Sequence, residues 1–187
     1  MDYNNFMGIL KKLNIDYLPR YTYKDYEQWE GKWELIEGIP YAMSPQPGIE
    51  HQRVSQRIGA QLESLLEDCE KCFALLPVDW KIDDETVLQT DNLVVCGSVE
   101  GKYLTQPPVL VFEILSPATA FKDRNIKYRI YELQGVKYYV MVDIDAKVAE
   151  VFELINGEYG KIKDAQEATV TFEINGCKID FDFSKIW

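Results

Sequence analysis

Val109-Leu110-Val111-Phe112-Glu113-Ile114-Leu115 is a run of large apolar side chains broken by one acid, and Ser116-Pro117 closes it. The run is too brief for a helix, and its near-continuous Val, Leu and Ile content is that of a strand covered on both faces. Val136-Lys137-Tyr138-Tyr139-Val140-Met141-Val142 reads in the same way. Between the two, a polar connection leads into a helical segment reaching Leu133, with Gly135 placed as the residue that ends it. Strand, helix, strand at this spacing makes a crossover between parallel neighbours. The prediction is an α/β (α+β) chain with a mixed sheet flanked by helices.

Upstream, Gln89-Thr90-Asp91-Asn92-Leu93-Val94-Val95-Cys96 gives a second buried-looking strand, separated from the first by the loop from Gly97 to Pro108. Asp91 and Glu113 are thereby expected on neighbouring strands. An acid in such surroundings is unfavourable unless it is hydrogen-bonded, paired or bound to a cation. Two together are the pattern of a site for a hard ion such as Mg²⁺. The plainer alternative makes Asp91 a turn cap and Glu113 half of a structural ion pair.

The rest of the chain supplies short elements around this centre. Thr22 caps a short helix, with Asp25 three residues on. Trp33–Glu37 and Ile39–Met43 form a hairpin about Gly38, and Ser44-Pro45-Gln46-Pro47-Gly48 breaks it. Val54, Ile58, Leu62, Leu65 and Leu66 recur at helical spacing through an amphipathic helix ending near Cys69. Phe73 to Ile82 reads as a strand and Asp83-Asp84-Glu85 as a turn. Asn156-Gly157 and Asn175-Gly176 each join two further strands. No repeat or linker divides the 187 residues, which are read as a single domain, 1–187.

Composition narrows the function classes. The chain carries 31 acids against 20 bases, a net charge of −11. This argues against non-specific binding driven by phosphate contacts, which needs clustered Lys and Arg, but not against a nuclease whose metal site needs carboxylates. No apolar stretch reaches the length of a membrane span, and Lys11-Lys12 cut short the one near the start, so no signal peptide is expected. Cys69, Cys72, Cys96 and Cys177 imply no disulfide framework at this size, which points to the cytoplasm. The glycines form no phosphate-binding pattern, so no nucleotide cofactor is expected.

Further polar residues carry competing readings. Lys127 either pairs with Asp123 at i,i+4 on a solvated helix face, worth about 0.3–0.5 kcal/mol, or turns toward the carboxylates and supplies charge to a reacting phosphate. If Lys127 supplies that charge, removing it should cost on the order of a hundredfold in nicking rate and hardly change the melting temperature, since the Asp123 pair is so weak. Glu34 or Glu37 in the first hairpin could add a third metal ligand, or remain solvated. His51 with Ser116 would suit an acyl hydrolase, but no Gly-x-Ser-x-Gly surrounds Ser116; a capping serine and a capping or surface histidine are simpler. Cys69-Glu70-Lys71-Cys72 lacks the second ligand pair of a zinc site.

As a set, Trp33-Glu34-Leu35-Ile36-Glu37-Gly38, Met43-Ser44-Pro45, His51, Gln89-Thr90-Asp91, Val111-Phe112-Glu113-Ile114-Leu115-Ser116-Pro117, Asp123, Lys127, Tyr131 and Gly135–Asp143 resemble the Uma-two family, from about Tyr21 to the C-terminus. That family is regarded as endonucleases with the restriction-endonuclease-like, PD-(D/E)XK fold. The resemblance implies a central four- to five-stranded mixed sheet with helices on both sides. It makes Asp91 and Glu113 the motif acids, with Glu34 completing a Mg²⁺ or Mn²⁺ site. Thr90 stands in place of the motif proline, and Leu115 in place of its lysine, which Lys127 would replace from the following helix. The implied activity is metal-dependent hydrolysis of nucleic acid, DNA first; with one site per chain and two strands to cut, a homodimer is expected. The alternative is a nuclease fold that has lost strong catalysis and serves as a binding or assembly module.

Overall fold

The computed structural model describes residues 19–43 and 47–187. The Ser44-Pro45 part of the hairpin breaker and the first residues, on which the signal-peptide reading rests, lie outside them. The elements run α1 (Tyr23–Tyr26), β1 (Trp33–Ile36), β2 (Ile39–Ala42), α2 (Ile49–Leu65), β3 (Cys72–Leu75), β4 (Asp79–Lys81), β5 (Val87–Gln89), β6 (Asn92–Cys96) and β7 (Leu110–Ile114). A π-helical turn (Lys122–Lys127) then leads into α3 (Tyr128–Gln134). It is followed by β8 (Tyr138–Asp143), β9 (Val148–Ile155), β10 (Glu158–Ala165), β11 (Thr169–Ile174), β12 (Cys177–Asp182) and a short 3₁₀ turn (Phe183–Lys185).

The central sheet has six strands in the order β10-β9-β8-β7-β6-β3. Only β7 and β8 pair in parallel, Leu110 facing Tyr138 and Ile114 facing Val142, as the crossover requires. The sheet is wider than the four to five strands expected, because the β9–β10 hairpin extends its edge. A second sheet, β2-β1-β5-β4, holds the first hairpin, and β11–β12 forms a ribbon of its own. The hairpin turns Glu37-Gly38, Asn156-Gly157 and Asn175-Gly176 each place both residues at positive φ, the geometry of two-residue turns that match strand twist.

Two runs read as single strands each divide between sheets. Phe73–Ile82 splits into β3 and β4, and Gln89–Cys96 breaks at Thr90-Asp91, where the chain leaves the smaller sheet for the larger. Both breaks fall where polar residues or a proline interrupt the run, Pro77 in the first and Thr90-Asp91 in the second, but such an interruption does not say that the strand changes sheet.

Two cores result. On one face of the central sheet, Val54, Ile58 and Leu62 of α2 pack against Phe112, Val140 and the Phe172 and Phe181 rings of β11–β12. On the other, Val111, Tyr139 and Met141 pack against Ile36, Leu88 and Trp80 of the smaller sheet and Tyr131 of α3. Alternation along β7 turns Phe112 to the first core and Val111, hence Glu113, to the second. Helices thus lie on both sides, as expected.

All four cysteines are paired as disulfides, Cys69 with Cys177 and Cys72 with Cys96. The second pair joins directly opposed residues of β3 and β6. This corrects the expectation of no disulfide framework, and cysteine usage no longer points to a reducing compartment. Pairing of β3 with β6 brought the second pair together, and packing of the turn after α2 on β12 the first; sequence spacing showed neither. No helix among the described residues is long and apolar enough to cross a membrane.

Candidate functional site

The β6–β7 register pairs Asn92 with Phe112 in antiparallel sense. Carried one residue outward, it sets Asp91 opposite Glu113. Asp91 stands at the sheet-to-sheet break, just before β6. One of its oxygens, Oδ2, accepts the Ile114 N–H at 2.8 Å, which fixes the carboxylate against the end of β7, and His51 Nε2 of α2 lies 3.3 Å from the same atom. Burial alone would lower the His51 pKa, but the hydrogen bond and charge of Asp91 outweigh it and raise it. His51 therefore belongs to the site and is no surface or capping group. Its place at the start of α2 and in the family resemblance singled it out, but neither revealed Asp91 as its partner.

Glu113 is buried, with Oε1 accepting from Tyr131 Oη at 2.6 Å and from Lys127 Nζ at 2.9 Å. Burial raises its pKa well above the ordinary carboxylate range despite the Lys127 charge, because Asp123, Asp91 and Glu34 add negative charge nearby. Lys127 is 2% exposed. Its ammonium meets Gln89 O at 2.7 Å, Glu34 Oε1 at 2.8 Å and, more distantly, Asp123 Oδ1 at 3.7 Å. Burial works against its charge, but Glu113, Glu34 and Asp123 together hold its pKa well above the usual lysine value. The solvated-face reading is overturned. The Asp123 pair exists, but inside the protein.

Glu34 is fully buried on β1. Its Oε1 accepts the Gln89 N–H at 3.0 Å as well as Lys127, and Lys122 Nζ binds Oε2. Burial would raise its pKa; the two lysines outweigh that and lower it. Glu37, at the turn, is exposed and stands outside the cluster.

Both lysines reach Glu34 because of the π turn. On an α-helix, positions five apart diverge by about 140°. A turn closed i→i+5 brings them onto one side. Spacing along an assumed α-helix thus shows Asp123 and Lys127 together and does not set Lys122 beside them.

A cleft of about 1810 Å³ opens over this cluster, with His51, Asp91, Glu113, Ser116, Lys122 and Lys127 among its walls. Glu34 is not one of them; it lies behind the lysines. Ser116 Oγ is 3.1 Å from Thr119 Oγ1 and accepts the Thr119 N–H, so it caps the turn before the π-helix. Among the described residues no bond joins it to His51, and the acyl-hydrolase arrangement is not formed.

For a divalent ion, the donors are two acids. Asp91 Oδ1 and Glu113 Oε2 have no hydrogen-bond partner among the described residues, whereas both oxygens of Glu34 are engaged. No three His, Cys, Asp or Glu side chains among the described residues are grouped to hold an ion by themselves. Mg²⁺ is commonly held by one or two carboxylates, with water and substrate phosphate filling the remainder, so the pair fits such an ion.

No curated protein matches the chain. A crystal structure from Anabaena variabilis, described as a "putative nuclease belonging to DUF820", superposes with a TM-score of 0.71 at 16% identity, covering 88% of this chain and 96% of that one. At that identity the likeness speaks for the fold. The family model described as "Putative restriction endonuclease" matches residues 23–176. The span runs from the first short helix, through Glu34, His51, Asp91, Glu113 and Lys127, to the last hairpin turn, and the chain belongs to this family, Uma2.

Proposed function

We propose that the chain is a metal-dependent endonuclease that hydrolyses phosphodiester bonds of nucleic acid, with DNA as the expected substrate. Membership of the Uma2 family supports a nuclease. The observation that carries the chemistry is Asp91 opposite Glu113 in the wall of the cleft, each with one oxygen unclaimed by the described residues.

In this reading Asp91 and Glu113 hold Mg²⁺ or Mn²⁺, whose positive charge, when bound, polarises the phosphoryl group. The Ile114 N–H and His51 grip Asp91 Oδ2 and leave Oδ1 to the cleft. Tyr131 and Lys127 do the same for Glu113 Oε1. Glu34, Glu113 and Asp123 surround Lys127, Glu34 also binds Lys122, and Asp91 pairs with His51, so the free oxygens of Asp91 and Glu113 are where a further cation is expected. We assign Glu34 to anchoring the lysines, since its oxygens are spent. Cutting both strands of a duplex with one site per chain calls for a two-fold dimer, which we also propose.

The test is nicking of supercoiled plasmid with Mg²⁺ or Mn²⁺, with Mn²⁺ calorimetry in parallel. Wild type should nick only with the ion. Asp91→Asn and Glu113→Gln should each lose Mn²⁺ affinity and on the order of a hundredfold in rate. Unchanged affinity in either variant removes that residue from the site. A second reading, a nuclease fold kept for binding or assembly, is favoured by the net charge of −11. It predicts nucleic-acid or protein association without nicking.

A further inference from the structure

The two lysines of the π turn differ in what they have left to give. An ammonium group has three N–H donors. Lys127 donates to Gln89 O and Glu113 Oε1 at 2.7 and 2.9 Å, and Glu34 Oε1 at 2.8 Å and Asp123 Oδ1 at 3.7 Å close in on the same ammonium. It is enclosed by protein acceptors, and withdrawing the side chain would strip Glu113 and Asp123 of the cation they share. Lys122 binds only Glu34 Oε2 among the described residues. Its side chain is 11% exposed and forms part of the cleft wall, with its ammonium 5.8 Å from the centre of the Tyr41 ring. Two of its donors are unassigned, on the cleft side of a carboxylate that is itself buried.

We propose that Lys122 is the residue whose ammonium contacts a non-bridging oxygen of the phosphate being cleaved, and that Lys127 is a positioning residue. This rests on the nuclease reading above. Lys127 ties β1 to β7 by bridging Glu34 and Glu113, which sets where the Glu113 carboxylate stands. Lys122, held by the outer oxygen of the same Glu34, presents charge to the ligand.

The decisive variant is Lys122→Gln, whose amide can still donate to Glu34 Oε2 while the charge is gone. Lys122→Arg restores the charge. For each, plasmid nicking, melting, and the KCl dependence of affinity for a fluorescein-labelled oligonucleotide in EDTA are measured beside wild type and Lys127→Met. The expected result for Lys122→Gln is a nicking rate lower by on the order of a hundredfold. Its log affinity against log salt should have a slope smaller by about one, with melting close to wild type. Lys122→Arg should recover most of the rate and the slope. Lys127→Met should instead lose melting temperature while its salt slope stays that of wild type. If wild type nicks and Lys122→Gln nicks equally fast with an unaltered slope, the assignment to Lys122 is wrong and the nuclease reading stands. If wild type neither binds the oligonucleotide nor nicks, the nuclease reading fails and takes the assignment with it.

Discussion

Replacing Lys127 by methionine keeps the apolar stem and deletes the charge shared by Glu34, Glu113 and Asp123. Removing one partner from a buried ionic group costs about 3–5 kcal/mol, since the others stay desolvated. At this chain length each kcal/mol lowers Tm by about 2–4 °C. Lys127→Met should therefore melt on the order of 10 °C below wild type by circular dichroism, and an unchanged Tm would place the ammonium in solvent. A solvated helix face demands the opposite result. The difference shows what a sequence discloses at this scale. Asp91 and Glu113 stood out because acids are anomalous among Val, Leu and Ile. The depth of Lys127 did not, because its burial comes from Glu34 and Gln89, delivered by the other sheet. The partner of His51 was hidden in the same way: Asp91 meets it only because α2 packs against the break between the sheets.

Strand and helix type were legible wherever local pattern decides them: the crossover of β7 and β8, α2 with its four-residue spacing, and the Asn-Gly hairpins. Sheet membership was not. The passages from β3 to β4 and from β5 to β6 change sheet over two or three residues, and only tertiary packing chooses between a straight strand and a bent one. The disulfides belong to this scale as well. Cys69–Cys177 spans 108 residues and staples the end of α2 to β12; Cys72–Cys96, spanning 24, rivets β3 to β6. Closing the longer loop restricts the unfolded chain by about 4–5 kcal/mol on the chain-entropy view. Scanning calorimetry with and without a phosphine reductant should show Tm lowered by on the order of 10 °C in the reduced protein. Coincident transitions would mean that these links add nothing to stability.

For the molecule as a whole, a net charge of −11 sets the terms on which any polyanion can approach. Long-range attraction is absent, so encounter depends on the few cations at the cleft, including Lys122, and on divalent ions that offset the carboxylates. The proposed pairing of two chains would bring two clefts to one duplex. Light scattering at micromolar concentration should then give twice the 21.7 kDa chain mass, and a value of one chain mass counts against it.

The bridge from Glu34 through Lys127 to Glu113 joins one sheet to the other at the place where chemistry is proposed. The stacking of Trp80 of β4 on Tyr131 of α3, centroids 5.9 Å apart, helps seat the same layers, and Tyr131 itself holds Glu113. The carboxylate is thus steered from both layers at once, and its aim is a gauge of how they are docked. A slip between the sheets too small to expose either core would still misdirect Glu113. Solvents or substitutions that loosen the seam should silence the site while both sheets remain folded.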